Sequence, residues 1–248
     1  IAVRSSATKS VILPQYFYTQ REIPALNEQI EKAVNTILRQ LKLDSVSNEY
    51  EKEMLVHDLF ADRLTYDHEA LAAKNDPKRI VNAHSIIGVF LLKKAVCEGI
   101  AKATKILLNA ANMKCIPYHL DATWDIANST KSSVCYDYFN LTDEQIAIDH
   151  RDFRDTPKCS ALSENYYHKN GLCFDSLSSL KSQIGRHFSV TQEAFSFKWE
   201  GSNSFSRVCE AAVQHSLQSA AYAGFFRSAH YRFNEGQRTC CIELAARR

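Results

Sequence analysis

Cys97, His119 and Asp121 have the residue types that together can cleave or transfer an acyl group. A thiolate attacks a carbonyl carbon, an imidazole moves the proton, and a carboxylate holds the imidazole in one tautomer. Cys97 lies near the start of "AVCEGIAKATKILLNAANMKC", residues 95–115, whose apolar spacing predicts a helix. In a first turn, unpaired N–H groups and the helix macrodipole stabilise a thiolate and can hold an oxyanion. Lys93 and Lys94 add positive charge there. A packing role competes with this one, because free cysteine is commonly buried and inert. A helical projection sets Val96, Ile100, Ala103, Leu107 and Ala110 in one apolar stripe, which Cys97, Ala101, Thr104 and Leu108 widen, so Cys97 is expected on the buried side. Gly99 serves either a substrate or a closely packed backbone.

The elements that must position these groups are legible on both sides. "PALNEQIEKAVNTILRQLKL" and "SNEYEKEMLVHDLFADRLTYD" repeat apolar residues at helical spacing, and "HSIIGVFLL" predicts a further helix or a helix and turn. After Cys115 the period changes to two, with Ile116, Tyr118 and Leu120 alternating with Pro117, His119 and Asp121, which predicts a strand. "NLTDEQIAID" predicts a short helix capped by Thr142 with Asp143 and Glu144 in its first turn. "NYYHKNGLCF" predicts a hairpin turning at Asn170-Gly171. A helix from about residue 175, the strand "FSFKW", a helix through Phe205, Val208 and Ala212, and a hairpin turning near Glu235-Gly236 complete the chain.

Composition excludes several function classes. The 248 residues, 45% hydrophobic, suffice for a substantial core. Thirty basic and 28 acidic residues give a net charge of +2 without a run of like charge, so neither nucleic acid nor an anionic membrane is an expected partner. The longest apolar run, Ile86 to Leu92, is far short of a bilayer span. The 8 cysteines form no C-x-x-C or other metal-ligand spacing, so reduced thiols, no metal site and a cytoplasmic location are expected. Cys240 and Cys241 are neighbours on an expected strand and point to opposite faces, which argues against their pairing. The sequence opens on Ile1 and leaves targeting open. It contains no P-loop, G-x-G-x-x-G or G-x-S-x-G motif to support nucleotide binding or serine hydrolysis.

Three segments, "HSIIGVFLLKKAVCEGIAKATKILLNAANMKC", "YHLDATWD" and "YDYFNLTDEQIAIDH", follow one another within residues 51–150. In that order they closely resemble the transglutaminase-like, papain-related cysteine enzymes, particularly bacterial members. The resemblance implies that Cys97 is the nucleophile and that Asp121 orients the imidazole. It also implies an α+β papain-like core over residues 47–155, preceded by a helical segment over 1–46 and followed by an α/β region over 156–248. The implied activity is cysteine-dependent acyl transfer on a peptide, protein or carboxamide substrate without a cofactor, with hydrolysis preferred to transamidation.

The base is the point of departure. The family carries its histidine in a His-Ala-Trp-Asn context before the aspartate strand. Here only Ile116 and Pro117 separate "MKC" from "YHLD", and none of the nine histidines precedes Ala-Trp-Asn. Three readings stand: a histidine-bearing segment belongs between Ile116 and Pro117, the protein is an inactive relative that binds peptides, or His84 or His150 substitutes. The bland roles for these last two are a helix-start or core residue for His84 and a helix C-terminal charge partner for His150. His119 is a secondary candidate, because two residues along a strand put it roughly 6–7 Å from Asp121, an awkward distance for a direct bond. Trp124 and Tyr138 are candidate substrate contacts, weighed against plain packing. His57, in a helix, reads as a satisfied or solvated histidine.

Overall fold

The computed structural model describes residues 2–5, 10–13, 16–73, 76–113, 116–151, 156–223 and 227–246. The fold is α+β. Two compact units form, Ile1–Leu59 with Arg63–Met113, and Phe60–Asp62 with Lys114–Arg248.

In the first unit, β1 (Ala2–Ser5) and β2 (Ser10–Leu13) pair antiparallel. The long helix α1 (Glu22–Leu41) follows, opened by Thr19 and Glu22, each accepting the other's backbone N–H through its side chain, and closed by Lys42 in the left-handed region. Helix α2 (Glu49–Arg63) turns Val56, Leu59 and Phe60 inward. Then come β3 (Thr65–Tyr66), α3 (His68–Ala72) and α4 (Pro77–Ala83), the two helices capped by Asp67 and Asp76. "HSIIGVFLL" becomes a wide π-type turn over Gly88–Leu92 and ends at Lys93 with φ 57°. β4 (Lys94–Ala95) pairs parallel to β3 and delivers the chain into α5 (Cys97–Ala110).

The second unit is built on a four-stranded sheet. Its elements are α6 (Ala122–Asn128), α7 (Asp143–Ile146), α8 (Tyr166–Lys169), β5 (Cys173–Phe174), α9 (Leu177–Val190), β6 (Phe195–Trp199), α10 (Phe205–Tyr222), β7 (Arg227–Asn234) and β8 (Thr239–Ala246). Strand order is β5-β6-β8-β7, with β5 and β6 parallel and the other pairings antiparallel. Leu180, Ile184 and Phe188 recur every four residues on α9 and meet Val208 and Ala212 of α10 over Phe195 and Phe197 of β6 and Cys240 and Ile242 of β8. Each large side chain buried there contributes about 1.5–3 kcal/mol. Cys240 faces this core while Cys241 faces the other side, its sulfur 3.0 Å from Ser133 Oγ, so the two adjacent thiols are free and separated by the strand.

Two sequence expectations are corrected here. The strand expected after Cys115 contracts to a single bridge between His119 and Leu141, because Asp121 caps a helix and so ends the extended run. The hairpin expected in "NYYHKNGLCF" is instead the short helix α8, capped by Asn165 and ended by Gly171 at φ 65°, after which β5 pairs parallel to β6. Lys114 and Cys115 lie outside the described residues. Among those described, no helix is long and apolar enough to cross a membrane.

Candidate active site

Asp121 is the hub of the site in the second unit. Its Oδ1 accepts the backbone N–H groups of Thr123 and Trp124, at 2.8 and 3.1 Å, and so caps α6. Its own N–H donates to the carbonyl of Tyr138 at 3.1 Å, and buried Asp125 accepts the Tyr138 N–H at 3.0 Å. These bonds fix the Asp121 carboxylate, leaving Oδ2 for His150 Nε2 at 2.9 Å.

His150 reaches this place through α7. Thr142 and Gln145 form a reciprocal capping box, and the His150 N–H donates to the Ile146 carbonyl just beyond the helix. The expected Thr142 cap is therefore found, whereas the ring of His150, expected to offset a helix C-terminus, is engaged by two carboxylates. Its Nδ1 lies 2.7 Å from Asp149 Oδ1, so both ring nitrogens face acidic oxygens. Burial pulls its pKa down, but the hydrogen bonds and charges of Asp121 and Asp149 outweigh burial and leave it raised, which favours the imidazolium. Trp124 and Tyr138 flank the ring at centroid distances of 4.5 and 5.1 Å. Trp124 is 42% exposed, whereas Tyr138 is 1% exposed, so Trp124 alone of the pair presents area to an incoming ligand.

Asp149 is held in turn. Its Oδ2 accepts Tyr138 O–H at 2.7 Å and Gln237 Nε2 at 3.3 Å, and Asn234 Nδ2 donates to the Tyr138 hydroxyl oxygen at 2.9 Å. Burial raises the Tyr138 phenol, and its bond to Asp149 adds to the rise, so it remains a donor. The turn between β7 and β8 thus supports the histidine from behind. Sequence reasoning did not single out Asp149, Asn234 or Gln237. Only the adjacency "DH" at 149–150 signals one of them.

His119 is drawn elsewhere: its Nε2 lies 2.7 Å from Asp143 Oδ1, with the Cys159 thiol close by. The shared strand face expected for His119 and Asp121 does not form, since the strand stops at the bridge.

Cys97 begins α5 in the first unit. Its N-cap, Val96, supplies no side-chain bond to the first-turn N–H groups. The expectation that Cys97 lies on the buried side is corrected: it is exposed, while Val96, Gly99 and Ile100 are buried. The helix rotates this way because Gly99 packs against backbone. A Cβ at Gly99 would stand 2.4 Å from the Ala83 carbonyl oxygen and 2.9 Å from that of Ser85, so close packing explains the glycine. Lys93 Nζ donates to Phe90 O at 2.9 Å and Lys94 Nζ lies 3.6 Å from Glu69, which engages both cations near the thiol. His84 follows the end of α4 rather than starting a helix, and its Nδ1 contacts Glu98 at 3.0 Å. His57 is buried, with Nδ1 3.4 Å from Asp58 Oδ1.

Among the described residues, two trios carry metal-ligating atoms within 4.8 Å of one another, His119–Asp143–Cys159 and His168–Cys173–Glu200. Neither the family models nor the curated proteins compared with this chain give a match.

Proposed function

We propose that the protein catalyses cysteine-dependent acyl transfer on a peptide or carboxamide substrate, with hydrolysis as the outcome, on a papain-like, transglutaminase-like core. The observation that carries this reading is the Asp121–His150 pair, 2.9 Å apart and drawn from two segments of the sequence resemblance. In this reading the first unit contributes Cys97 as the nucleophile, and the second contributes His150 as the proton carrier with Asp121 orienting it. His150 takes over the role of the histidine missing from the family pattern. The thiolate adds to the carbonyl carbon, and the imidazolium gives its proton to the departing amine. Water then attacks the thioester carbon while the imidazole takes its proton, releasing the acid and restoring the thiolate. Nδ1 is the nitrogen available for this traffic, because Nε2 is held by Asp121. The cycle therefore requires Asp149 to give up Nδ1.

A second reading rests on that same requirement. With both ring nitrogens on carboxylates, His150 has a purely structural role, and the protein is a catalytically inactive module that binds peptides, Trp124 being its exposed aromatic. Pre-steady-state hydrolysis of p-nitrophenyl acetate separates the two. The enzyme reading expects a nitrophenolate burst stoichiometric with protein, abolished in Cys97→Ala and slowed about 10²–10⁴-fold in His150→Gln. No burst in the wild-type protein, or the same burst in Cys97→Ala, refutes it.

A further inference from the structure

We infer that His119, Asp143 and Cys159 form a zinc site, with Nε2, a carboxylate oxygen and Sγ as three ligands and a fourth position open to water. It stands apart from the acyl-transfer reading and does not depend on it. The three residues span 40 positions of sequence and share no motif spacing, which is why the sequence led to the expectation of no metal. The fold brings their donor atoms within 4.8 Å of one another.

Backbone pairing fixes each ligand. His119 exchanges both main-chain hydrogen bonds with Leu141, at 2.9 and 2.8 Å. Asp143 donates its N–H to the Cys159 carbonyl at 2.8 Å and accepts the Cys159 N–H through Oδ1 at 3.2 Å. Main-chain bonds thus anchor all three residues around the segment from Leu141 to Asp143, with Cys159 buried and His119 largely so.

The donor set suits zinc. Nitrogen, oxygen and thiolate sulfur together match a borderline-soft ion, and a three-ligand tetrahedral site leaves one open position. Bonds of about 2.0–2.3 Å require donor separations of roughly 3.3–3.6 Å. The 2.7 Å His119–Asp143 contact must open by less than about 1 Å, a side-chain rotation, to admit the ion. Binding exchanges the Nε2 proton for the metal, with the neutral tautomer carrying its proton on Nδ1. It also releases the Cys159 proton, which now points to the Pro157 carbonyl at 3.3 Å. The second trio is more exposed at Glu200, and its cysteine provides the control.

Cobalt substitution tests the site. Titrating reduced Cys173→Ser protein with Co²⁺ is expected to produce a near-ultraviolet thiolate-to-cobalt band that saturates at one ion per chain and is displaced by Zn²⁺. The band is expected to vanish when Cys159→Ser is added. No band in Cys173→Ser, or a band that survives loss of Cys159, overturns the assignment. Mass mapping of wild-type thiols alkylated during a brief urea pulse needs no substitution at the site. Zinc is expected to slow modification of Cys159 more than that of Cys135 or Cys173, and equal slowing of all three overturns the proposal.

Discussion

Oδ2 of Asp121 lies 2.9 Å from Nε2 of His150, while Oδ1 of the same carboxylate caps α6. One side chain therefore serves both the helix and the imidazole, and substitutions can separate the two duties.

Asp121→Asn retains an N-cap acceptor and loses the charge, whereas Asp121→Ala loses both. Asn caps nearly as well as Asp, and removing a cap costs about 0.5–2 kcal/mol. Urea unfolding is expected to show Asp121→Ala less stable than Asp121→Asn by about 1 kcal/mol. Equal stability of the two would mean that the cap contributes nothing.

Proton affinity at His150 follows from its two carboxylates. Its folded pKa is raised above the unfolded value of about 6.5, so its contribution to stability is complete below that pH and fades as pH rises through the folded pKa. The stability difference between wild type and His150→Gln is expected to shrink with increasing pH across this window. NMR titration of the ring is expected to give a lower midpoint in Asp149→Asn and in Asp121→Asn than in wild type. An unchanged midpoint in both variants would remove the carboxylates as the cause.

Two helical glycines should respond in opposite directions to alanine. At Gly99 the added Cβ meets the Ala83 backbone oxygen at 2.4 Å, and overpacking of this kind costs about 1–3 kcal/mol. At Gly185, inside α9, the nearest atom is His215 Nε2 at 3.5 Å, an ordinary contact. Gly185→Ala is therefore expected to stabilise by up to about 1 kcal/mol through helix propensity. Thermal unfolding of the pair decides it, and a stabilised Gly99→Ala would contradict the packing at the first turn of α5.

Thiol accessibility divides the cysteines. Cys97 is exposed, while Cys135, Cys209 and Cys240 are buried, and burial holds the Cys135 thiol far above the ordinary range. A short iodoacetamide pulse read by mass spectrometry is expected to label Cys97 well before those three. Labelling of Cys135 at a comparable rate would be incompatible with its burial.

The sequence by itself determined the elements that short-range physics controls. Helical spacing places α1, α2, α5, α9 and α10, the Thr142 cap places α7, the alternation in "FSFKW" places β6, and the turn near Glu235-Gly236 places the β7–β8 hairpin. Cys97 at the start of α5 was legible for the same reason, since a first turn is a local property. Its exposure was not, because the rotation of α5 depends on the Ala83 and Ser85 carbonyls that close against Gly99 from a different segment. Alternation from 116 to 121 predicted a strand, yet capping by Asp121 and a lone bridge to Leu141 prevailed, since a strand needs a partner that the sequence does not specify. The pairing of Asp121 with His150, and of His119 with Asp143, was decided by tertiary structure alone. These pairs join residues 29 and 24 positions apart, and at such separations only the packed chain determines which carboxylate each imidazole meets.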